Sequence, residues 1–273
     1  FASPSRSAGL PRPRSGAAWA AWFRANAARP RPIPWHRGAD VTPAELAPIA
    51  RSLQAWQLGE TSDGRHLTAA AARFAARVGD PDYPAAVALF VAEEQRHGEL
   101  LGQFLDRAGV GRKGRDWGDT LFRLARYALR SPEAWTTPVV MVETLAVVYY
   151  DAIRRATGSA VLRAVCRQIL ADEGPHLRFQ CERLAAVYRP RPRVLVAATL
   201  FAQRVAFLFV LTLVWAGHRR ALRAGGYGWR RYRETAWRRM RANWRRMDPR
   251  RYDWAGYGAE PVASASQSAT LSS

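Results

Sequence analysis

Apolar residues between positions 42 and 188 recur at spacings of three, four and seven, which is the period of an amphipathic α-helix. Helix-breaking residues interrupt this pattern at Gly79-Asp80-Pro81, at Gly109 and at Gly158, so it predicts four long helices. A short stretch near 121–129 predicts a crossover helix between the second and the third. No β-hairpin signal interrupts the pattern, and the sequence therefore predicts an all-α fold.

The predicted helix starts carry capping signals. Thr42 and Glu45 have the spacing of a capping box at the start of the first helix, which we expect to kink or restart near Pro48 and to continue to Val78. Thr137 followed by Pro138 predicts the start of the third helix. Ser159 is the expected cap of the fourth helix, which ends before Pro190.

The composition along the chain divides it into four parts. Residues 1–38 are rich in proline and arginine and predict a flexible leader, with one short amphipathic helix near 17–28 as an appendage. Residues 39–190 form the predicted four-helix bundle. Residues 191–253 predict an apolar helix followed by an amphipathic helix rich in arginine and tryptophan, and residues 254–273 predict a disordered tail.

The overall composition excludes several classes of protein. The chain has 273 residues, a formal net charge of +20 and 48% hydrophobic residues, which is enough for a core. The two cysteines, Cys166 and Cys181, do not form a CxxC pair, which excludes a disulfide scaffold, a zinc ribbon and a rubredoxin-type iron site. We expect reduced thiols and a cytoplasmic protein. No phosphate-binding glycine motif is present.

Each long helix places one glutamate in its apolar stripe, and two of these glutamates are followed by a histidine three residues later. Residues three apart lie on the same helical face, so both side chains of a Glu-x-x-His pair can reach one centre. The glutamates of successive helices are 34 and 30 residues apart, which fits two antiparallel hairpins. The candidate ligands are Glu60, Glu94, His97, Glu143, Glu173 and His176.

Buried carboxylates need a cationic partner because an unpaired charge in a bundle core costs several kcal/mol. Two divalent metals would supply four positive charges to the four carboxylates. Sites rich in oxygen ligands with one imidazole per ion suit iron or manganese better than zinc. The order Glu, ExxH, Glu, ExxH is typical of a dimetal four-helix bundle.

These segments resemble the ferritin-like di-iron carboxylate superfamily. The similar motifs are LGET around Glu60, AEEQRHGELL around Glu94 and VETLAVVYY around Glu143, together with ADEGPHLRFQ around Glu173. The resemblance covers about residues 43–188 and implies a ferritin-like bundle with extra C-terminal helices. It also implies a cofactor of two iron ions, or a Mn/Fe pair, that reacts with O2 or peroxide.

Two further residues are candidates for supporting the metal ligands. Asp172 looks like the aspartate of the DExxH segment in similar oxidases, where it hydrogen-bonds a ligating histidine; the alternative is an exposed helix acid. Tyr150 lies two turns from Glu143, and we expect either a hydrogen bond near the site or a core position. Pro175, inside the second ExxH motif, predicts a bend or a π-bulge in the fourth helix.

The resemblance implies an O2-dependent oxidoreductase that acts on an organic substrate which the sequence does not identify. No flavin or nicotinamide motif is present, so we expect an external reductase or ferredoxin. The alternatives are an iron-handling ferroxidase, peroxidase or metal-binding protein, and an interfacial, quinone-linked membrane enzyme. Cage ferritins usually lack the second ExxH motif and rubrerythrins usually carry a CxxC module, so both comparisons favour an oxidase.

The C-terminal region suggests an anionic partner. The apolar run 194–217 is interrupted by Gln203 and Arg204, which favours a fifth helix on the bundle or at the interface of a homodimer over a membrane span. Between residues 219 and 251, 13 arginines stand against Glu234 and Asp248, a net charge of +11.

The last helix combines an apolar stripe with these arginines. It either covers the core or lies on an anionic membrane; no motif accompanies the charge to favour nucleic acid. The candidate surface residues are Trp229, Arg238, Arg239, Trp244, Arg245 and Arg246.

Overall fold

The computed structural model describes residues 9–61, 65–114 and 132–257, except for the side chains of residues 65, 66 and 132–135. The secondary structure in these ranges is helical, without a strand, which confirms the all-α prediction. The predicted crossover helix at 121–129 and most of the predicted tail lie outside the described residues. The helices are α1 (Gly16–Ala27), α2 (Pro43–Leu46), α3 (Ala50–Glu60), α4 (Arg65–Val78), α5 (Tyr83–Arg107), α6 (Pro132–Ala156), α7 (Ala160–Tyr188), α8 (Arg193–Ala224) and α9 (Trp229–Arg246).

Helices α3 to α7 form the four-helix bundle. Helix α6 packs along α7, and α5 packs against α3, α4 and α7. The first predicted helix is divided: α2 ends before Pro48, as expected, but a second break that the sequence pattern did not predict follows Glu60. The Thr61 hydroxyl donates a hydrogen bond to the Leu58 carbonyl oxygen over 2.7 Å, which helps to end α3 directly after Glu60.

Two of the three predicted helix starts are confirmed. The hydroxyl of Thr42 and the carboxylate of Glu45 make the reciprocal bonds of a capping box, and the Ser159 hydroxyl caps α7 by accepting from the Leu162 amide. The predicted start at Thr137 is wrong, because α6 begins at Pro132 and includes Pro138. Proline at this position removes one backbone hydrogen bond, and the packing of α6 on α7 and α8 outweighs that loss.

Helix α7 continues without interruption through Pro175. The residues from Ala160 to Tyr188 are α-helical throughout, so the predicted π-bulge is absent from this helix. Side chains on almost every turn of its second half are buried. Tertiary packing on both sides therefore holds the helix together where the backbone lacks one donor.

The N-terminal segment is not the flexible appendage that its composition predicts. From residue 9 onward it is ordered, and α1 packs against α5 with Trp19, Ala20 and Phe23 buried. A Cβ atom on Gly16 would collide with the backbone of Tyr83, so only glycine permits this close approach. The aromatic residues of this short helix provide the apolar surface that the proline-rich composition obscured.

The two C-terminal helices pack on the outside of the bundle. Helix α8 lies mainly against α6, and α9 contacts α6, α7 and α8. Helix α8 is the one helix among the described residues that is long and apolar enough to cross a membrane, by length and composition alone.

Candidate metal centre

Four of the predicted ligands lie together in the interior of the bundle. Helix α5 contributes Glu94 and His97, and α7 contributes Glu173 and His176. One potential ligand atom from each of these side chains lies within 4.8 Å of the other three. Glu94 is partly exposed and the other three side chains are buried, so the group is largely shielded from water.

Both histidines are held through Nε2 by a carboxylate from the opposite helix. His97 Nε2 lies 2.9 Å from Asp172 Oδ2, and His176 Nε2 lies 2.8 Å from Glu93 Oε2. Carboxylate oxygens accept hydrogen bonds, so each Nε2 carries the proton and each Nδ1 keeps a lone pair. This arrangement turns both Nδ1 atoms into potential metal ligands.

These contacts relate the two helices symmetrically. Each has an acidic residue directly before its ExxH glutamate, and that residue holds the histidine of the other helix. The sequence analysis identified Asp172 as such a residue, and it is buried against His97. Glu93 was missed, because it was considered only as a ligand in a shifted register; the parallel between AEEQRH and ADEGPH is the signal that could have identified it.

Several buried atoms of the cluster have unused bonding capacity. His97 Nδ1 and both carboxylate oxygens of Glu173 make no hydrogen bond. Glu94 Oε1 lies 2.6 Å from His176 Nδ1 and 4.0 Å from His97 Nδ1. Buried polar groups normally find a partner, and imidazole nitrogens and carboxylates are the ligands of iron and manganese. The residues present therefore fit a metal centre.

The other two predicted ligands border this group. Glu60, at the end of α3, is buried, and its Oε1 accepts a hydrogen bond from the Tyr150 hydroxyl over 2.7 Å. Glu143 on α6 is also buried, and both its oxygens lie 2.5 Å from Gln180 Nε2. Tyr150 and Gln180 thus hold these two carboxylates beside the central four residues.

The electrostatics of the cluster show how strongly its negative charges interact. Burial raises the pKa of Glu60 and Glu173 well above the usual range, and the charge on Glu94 adds to both shifts. The same two causes raise the pKa of Glu143 to about 8. Burial alone would raise the pKa of Glu94, but its contacts with His176 and His97 lower it to about 2. Without cations the cluster takes up protons, and metal ions would replace them.

Helix α1 supplies a residue that supports the cluster from outside. The side-chain amide of Asn26 donates to Glu93 Oε1 over 2.7 Å and to Asp172 Oδ1 over 2.8 Å. It therefore joins the two carboxylates that hold the histidines. The contacts with His97, Asn26 and Gln168 oppose the effect of burial and keep the pKa of Asp172 well below its usual range. No sequence signal pointed to Asn26, because it lies in the segment predicted to be a leader.

Aromatic rings close the same side of the cluster. The ring of Phe90 on α5 meets His176 edge to face at 4.9 Å between centroids, and Phe23 on α1 lies 5.9 Å from the same histidine. These apolar groups exclude water from the histidine that α7 contributes. A low local dielectric strengthens every charge interaction in the cluster.

The predicted surface residues of α9 divide into two groups. Trp244 was predicted to face a membrane, but it is 5% exposed and contacts Phe207 and Trp237 in the core. Burying its large ring between α8 and α9 is more favourable than exposing it to water. Trp229 is 37% exposed. The four predicted arginines of the surface are exposed: Arg238, Arg239, Arg245 and Arg246.

Comparisons with known proteins give structural relatives only. No protein-family model matches the chain, and no curated protein matches it in sequence. The chain is similar in structure to variants of an R2-like ligand-binding oxidase with an anaerobically reconstituted Mn/Fe cofactor. One has 18% identity and a TM-score of 0.63 over 86% of this chain and 93% of that chain. Another has 18% identity and a TM-score of 0.60 over 88% and 94%.

This similarity extends beyond the four central helices. It covers most of both chains, so the helices outside the bundle take part in it. At this level of identity the comparison shows the fold. The protein has a ferritin-like all-α fold with additional helices at both ends.

Proposed function

We propose that the protein is an O2-dependent oxidoreductase with a two-metal centre. The proposed ligands are Glu60, Glu94, His97, Glu143, Glu173 and His176. The observation that carries the proposal is the buried convergence of an unpaired His97 nitrogen, two unpaired Glu173 oxygens and the Glu94–His176 contact. Acidic and imidazole ligands in this number are typical of ferritin-like dimetal bundles.

The donor set favours a pair of iron ions or a Mn/Fe pair. One imidazole and several carboxylates per ion suit these metals. The similar R2-like oxidase structures contain a reconstituted Mn/Fe cofactor, which supports the same choice for this chain. When bound, two such ions supply redox chemistry toward O2 or peroxide.

The chain's own residues would prepare the centre in two ways. Asp172 and Glu93 keep the protons of the two histidines on Nε2, so that both Nδ1 atoms face the cluster. Tyr150 and Gln180 orient the carboxylates of Glu60 and Glu143 by direct hydrogen bonds. These contacts fix the ligands before metal binds, which reduces the cost of ordering them.

Oxidation of an organic substrate would draw electrons from another protein. The chain contains no GxGxxG motif for a nicotinamide or flavin and no CxxC pair for an iron–sulfur or rubredoxin site. We therefore propose an external reductase or ferredoxin as the electron donor. The buried thiols Cys166 and Cys181 are free, and we propose a cytoplasmic location. The homodimer expected from the sequence stays a prediction.

Anaerobic titration with Fe(II), followed by exposure to O2, tests this function. We expect two iron ions per chain, an optical and Mössbauer change on adding O2, and the loss of both in Glu94→Ala and His176→Ala. Matched controls are Glu99→Ala, an exposed glutamate on the same helix as Glu94, and His36→Ala, a histidine outside the bundle. Both controls should bind iron like the unaltered protein.

Two results would change the conclusion. If the protein retains no specific metal, or if the controls lose iron as fully as the cluster variants, the two-metal proposal is wrong. If it binds two irons but simply oxidises added Fe(II) or consumes peroxide, with no dependence on a reductase, the iron-handling function replaces the oxidase function.

A further inference from the structure

Helix α8 has an outward face of large apolar side chains that nothing in the described chain covers. Only 17% of the residues in its most apolar 18-residue window are buried. Val194 is 78% exposed, Phe201 64% and Phe209 66%. The exposed apolar side chains of this outward face are Val194, Leu195, Phe201, Val205, Leu208 and Phe209. A contiguous exposed apolar patch of this kind marks an interaction surface.

The opposite side of α8 is fixed to the protein. Phe207 and Leu211 are fully buried, and Gln203 donates a hydrogen bond to the Tyr188 hydroxyl over 2.7 Å. Further along, a Cβ atom on Gly225 would collide with the backbone of Ala152, so the end of α8 lies directly on α6. A helix held along one side cannot be surrounded by lipid as a membrane span. Its outward face can still enter an apolar phase.

Arginines mark both ends of the outward face. Arg193 precedes the apolar stretch and is exposed. Arg219 follows Phe201 by 18 residues and Arg223 follows Val205 by 18 residues, which is five helical turns, so both lie on the outward face. Arg220 is exposed beside them, and α8 contains no acidic residue. The face is therefore apolar in its middle and cationic at its ends.

Helix α9 continues the cationic surface beside α8. The Tyr232 hydroxyl donates to the Leu211 carbonyl oxygen over 3.1 Å, and Trp244 contacts Phe207, so the two helices lie side by side. The Arg204 guanidinium in the middle of α8 lies 5.5 Å from the Trp244 ring centre. The mid-helix arginine thus points to the flank toward α9 and leaves the outward apolar face uncharged.

We propose that the outward face of α8 docks on a membrane containing anionic phospholipids, with the helix lying in the plane of the interface. The apolar side chains would enter the boundary of the acyl chains, and the arginines at both ends would bind phosphate groups. This surface differs from the α9 surface expected from the sequence, because α9 turns its apolar stripe inward. The proposal does not depend on the metal centre.

Charge distinguishes this partner from a second copy of the chain. A twofold dimer through the outward face would place Arg193, Arg219, Arg220 and Arg223 against the same arginines of the other copy, whether the two helices run parallel or antiparallel. No acidic residue on α8 would compensate them. An anionic bilayer supplies both the apolar phase and the opposite charge.

Sedimentation of the full chain with vesicles tests the proposal. The vesicles are phosphatidylcholine alone or phosphatidylcholine mixed with phosphatidylglycerol. We expect binding to the mixed vesicles, weakened by salt and at least about tenfold weaker with Arg219→Gln/Arg220→Gln/Arg223→Gln. Phe201→Ser/Phe209→Ser should weaken it by a similar factor, since these exposed side chains contribute little to folding.

Matched controls change the same chemistry elsewhere. Leu10→Ser removes an exposed apolar side chain near the N-terminus, and Arg24→Gln/Arg29→Gln/Arg31→Gln removes three exposed charges around α1. Both controls should bind the mixed vesicles like the unaltered chain. Vesicle binding that is absent, or equally sensitive to the controls, would overturn the proposal. So would a dimer in sedimentation velocity that Phe201→Ser/Phe209→Ser dissociates, because the face would then be a self-interface.

Discussion

The centre of the bundle and the outward face of α8 reverse the usual distribution of side chains. Buried carboxylates and imidazoles fill the centre, where a core normally holds apolar groups. Phenylalanine, valine and leucine cover the outward face of α8, where a surface normally holds polar groups. Each arrangement is unfavourable in water by itself. The two regions therefore call for partners of opposite chemistry, cations inside and an apolar, anionic phase outside.

The difference between the regions lies in how their surroundings hold them. The inner residues are fixed by a second layer of contacts, in which Asn26, Glu93 and Asp172 hold the histidines. The outer residues have no such layer, and only the opposite side of α8 is fixed. A metal ion requires ligands in a precise geometry, whereas a bilayer accepts any apolar surface of the right extent.

Metal binding should have the largest effect on the inner region. Ions at a thousandfold excess over their dissociation constant stabilise a protein by about 4 kcal/mol, or roughly 8 to 16 °C for a chain of this size. We expect such a rise in melting temperature when Fe(II) is added anaerobically. Glu173→Ala should abolish the rise, because both oxygens of Glu173 are buried without a hydrogen bond. An equal rise in that variant would show that iron binds elsewhere.

A matched pair of phenylalanines on α8 separates its two sides. Phe207 is buried against Trp237 and Trp244, so Phe207→Ala should destabilise the protein by about 3 to 5 kcal/mol. Phe209, two residues away, is exposed, and Phe209→Ala should change stability by less than about 0.5 kcal/mol. Chemical denaturation measures both. Similar losses in the two variants would mean that the outward face is covered within the protein.

Asn26 tests the contribution of α1 to the inner region. Asn26→Ala removes the bonds to Glu93 and Asp172, and we expect metal affinity to fall about 10- to 100-fold. The control is Asn243→Ala, which removes a buried amide that donates to Thr144 in α6, far along the chain from the cluster. Isothermal titration with Mn(II) compares the two. Unchanged affinity in Asn26→Ala would show that α1 only covers the bundle.

The smallest expected effect is the pH dependence of the metal-free protein. The folded pKa of Glu143 is raised to about 8 from its ordinary value near 4.5, and those of Glu60 and Glu173 are raised as well. An acid with a raised folded pKa loses stability as the pH rises from its unfolded value to its folded one. The raised pKa of His176 has the same sign above its ordinary value.

The melting temperature of the metal-free protein should therefore fall between about pH 5 and pH 8, and Glu143→Gln should flatten the curve. The groups of the cluster that share this behaviour or face it are Glu60, Glu94, His97, Glu143, Glu173 and His176. Scanning calorimetry at several pH values provides the measurement. A melting temperature that rises over this range would contradict the charge balance described for the cluster.

The sequence predicted most of the bundle because its helices obey local rules. The capping box at Thr42, the cap at Ser159 and the stop at Gly109 all depend on neighbouring residues, and the structure has them. The start of α6 and the continuity of α7 through Pro175 could not be predicted in this way. In both cases tertiary packing overrides a proline that local rules treat as a break.

The metal cluster was partly accessible to sequence analysis for the same reason. The ExxH spacing places Glu94 with His97 and Glu173 with His176 by helical periodicity alone. Asn26 was inaccessible, because its position depends on a short N-terminal helix that docks on α5 from far away in the chain. The outward face of α8 was also inaccessible, since an apolar run does not show which of its sides the bundle covers.

The most direct test of the central claim is a crystal structure of the metal-loaded protein with anomalous diffraction at the iron and manganese edges. The account predicts two anomalous peaks about 3.5 to 4 Å apart, between Glu94 and His97 of α5 and Glu173 and His176 of α7. His97 Nδ1 and His176 Nδ1 should each face one peak. A single peak, no peak at these residues, or metal bound only at the surface would contradict it.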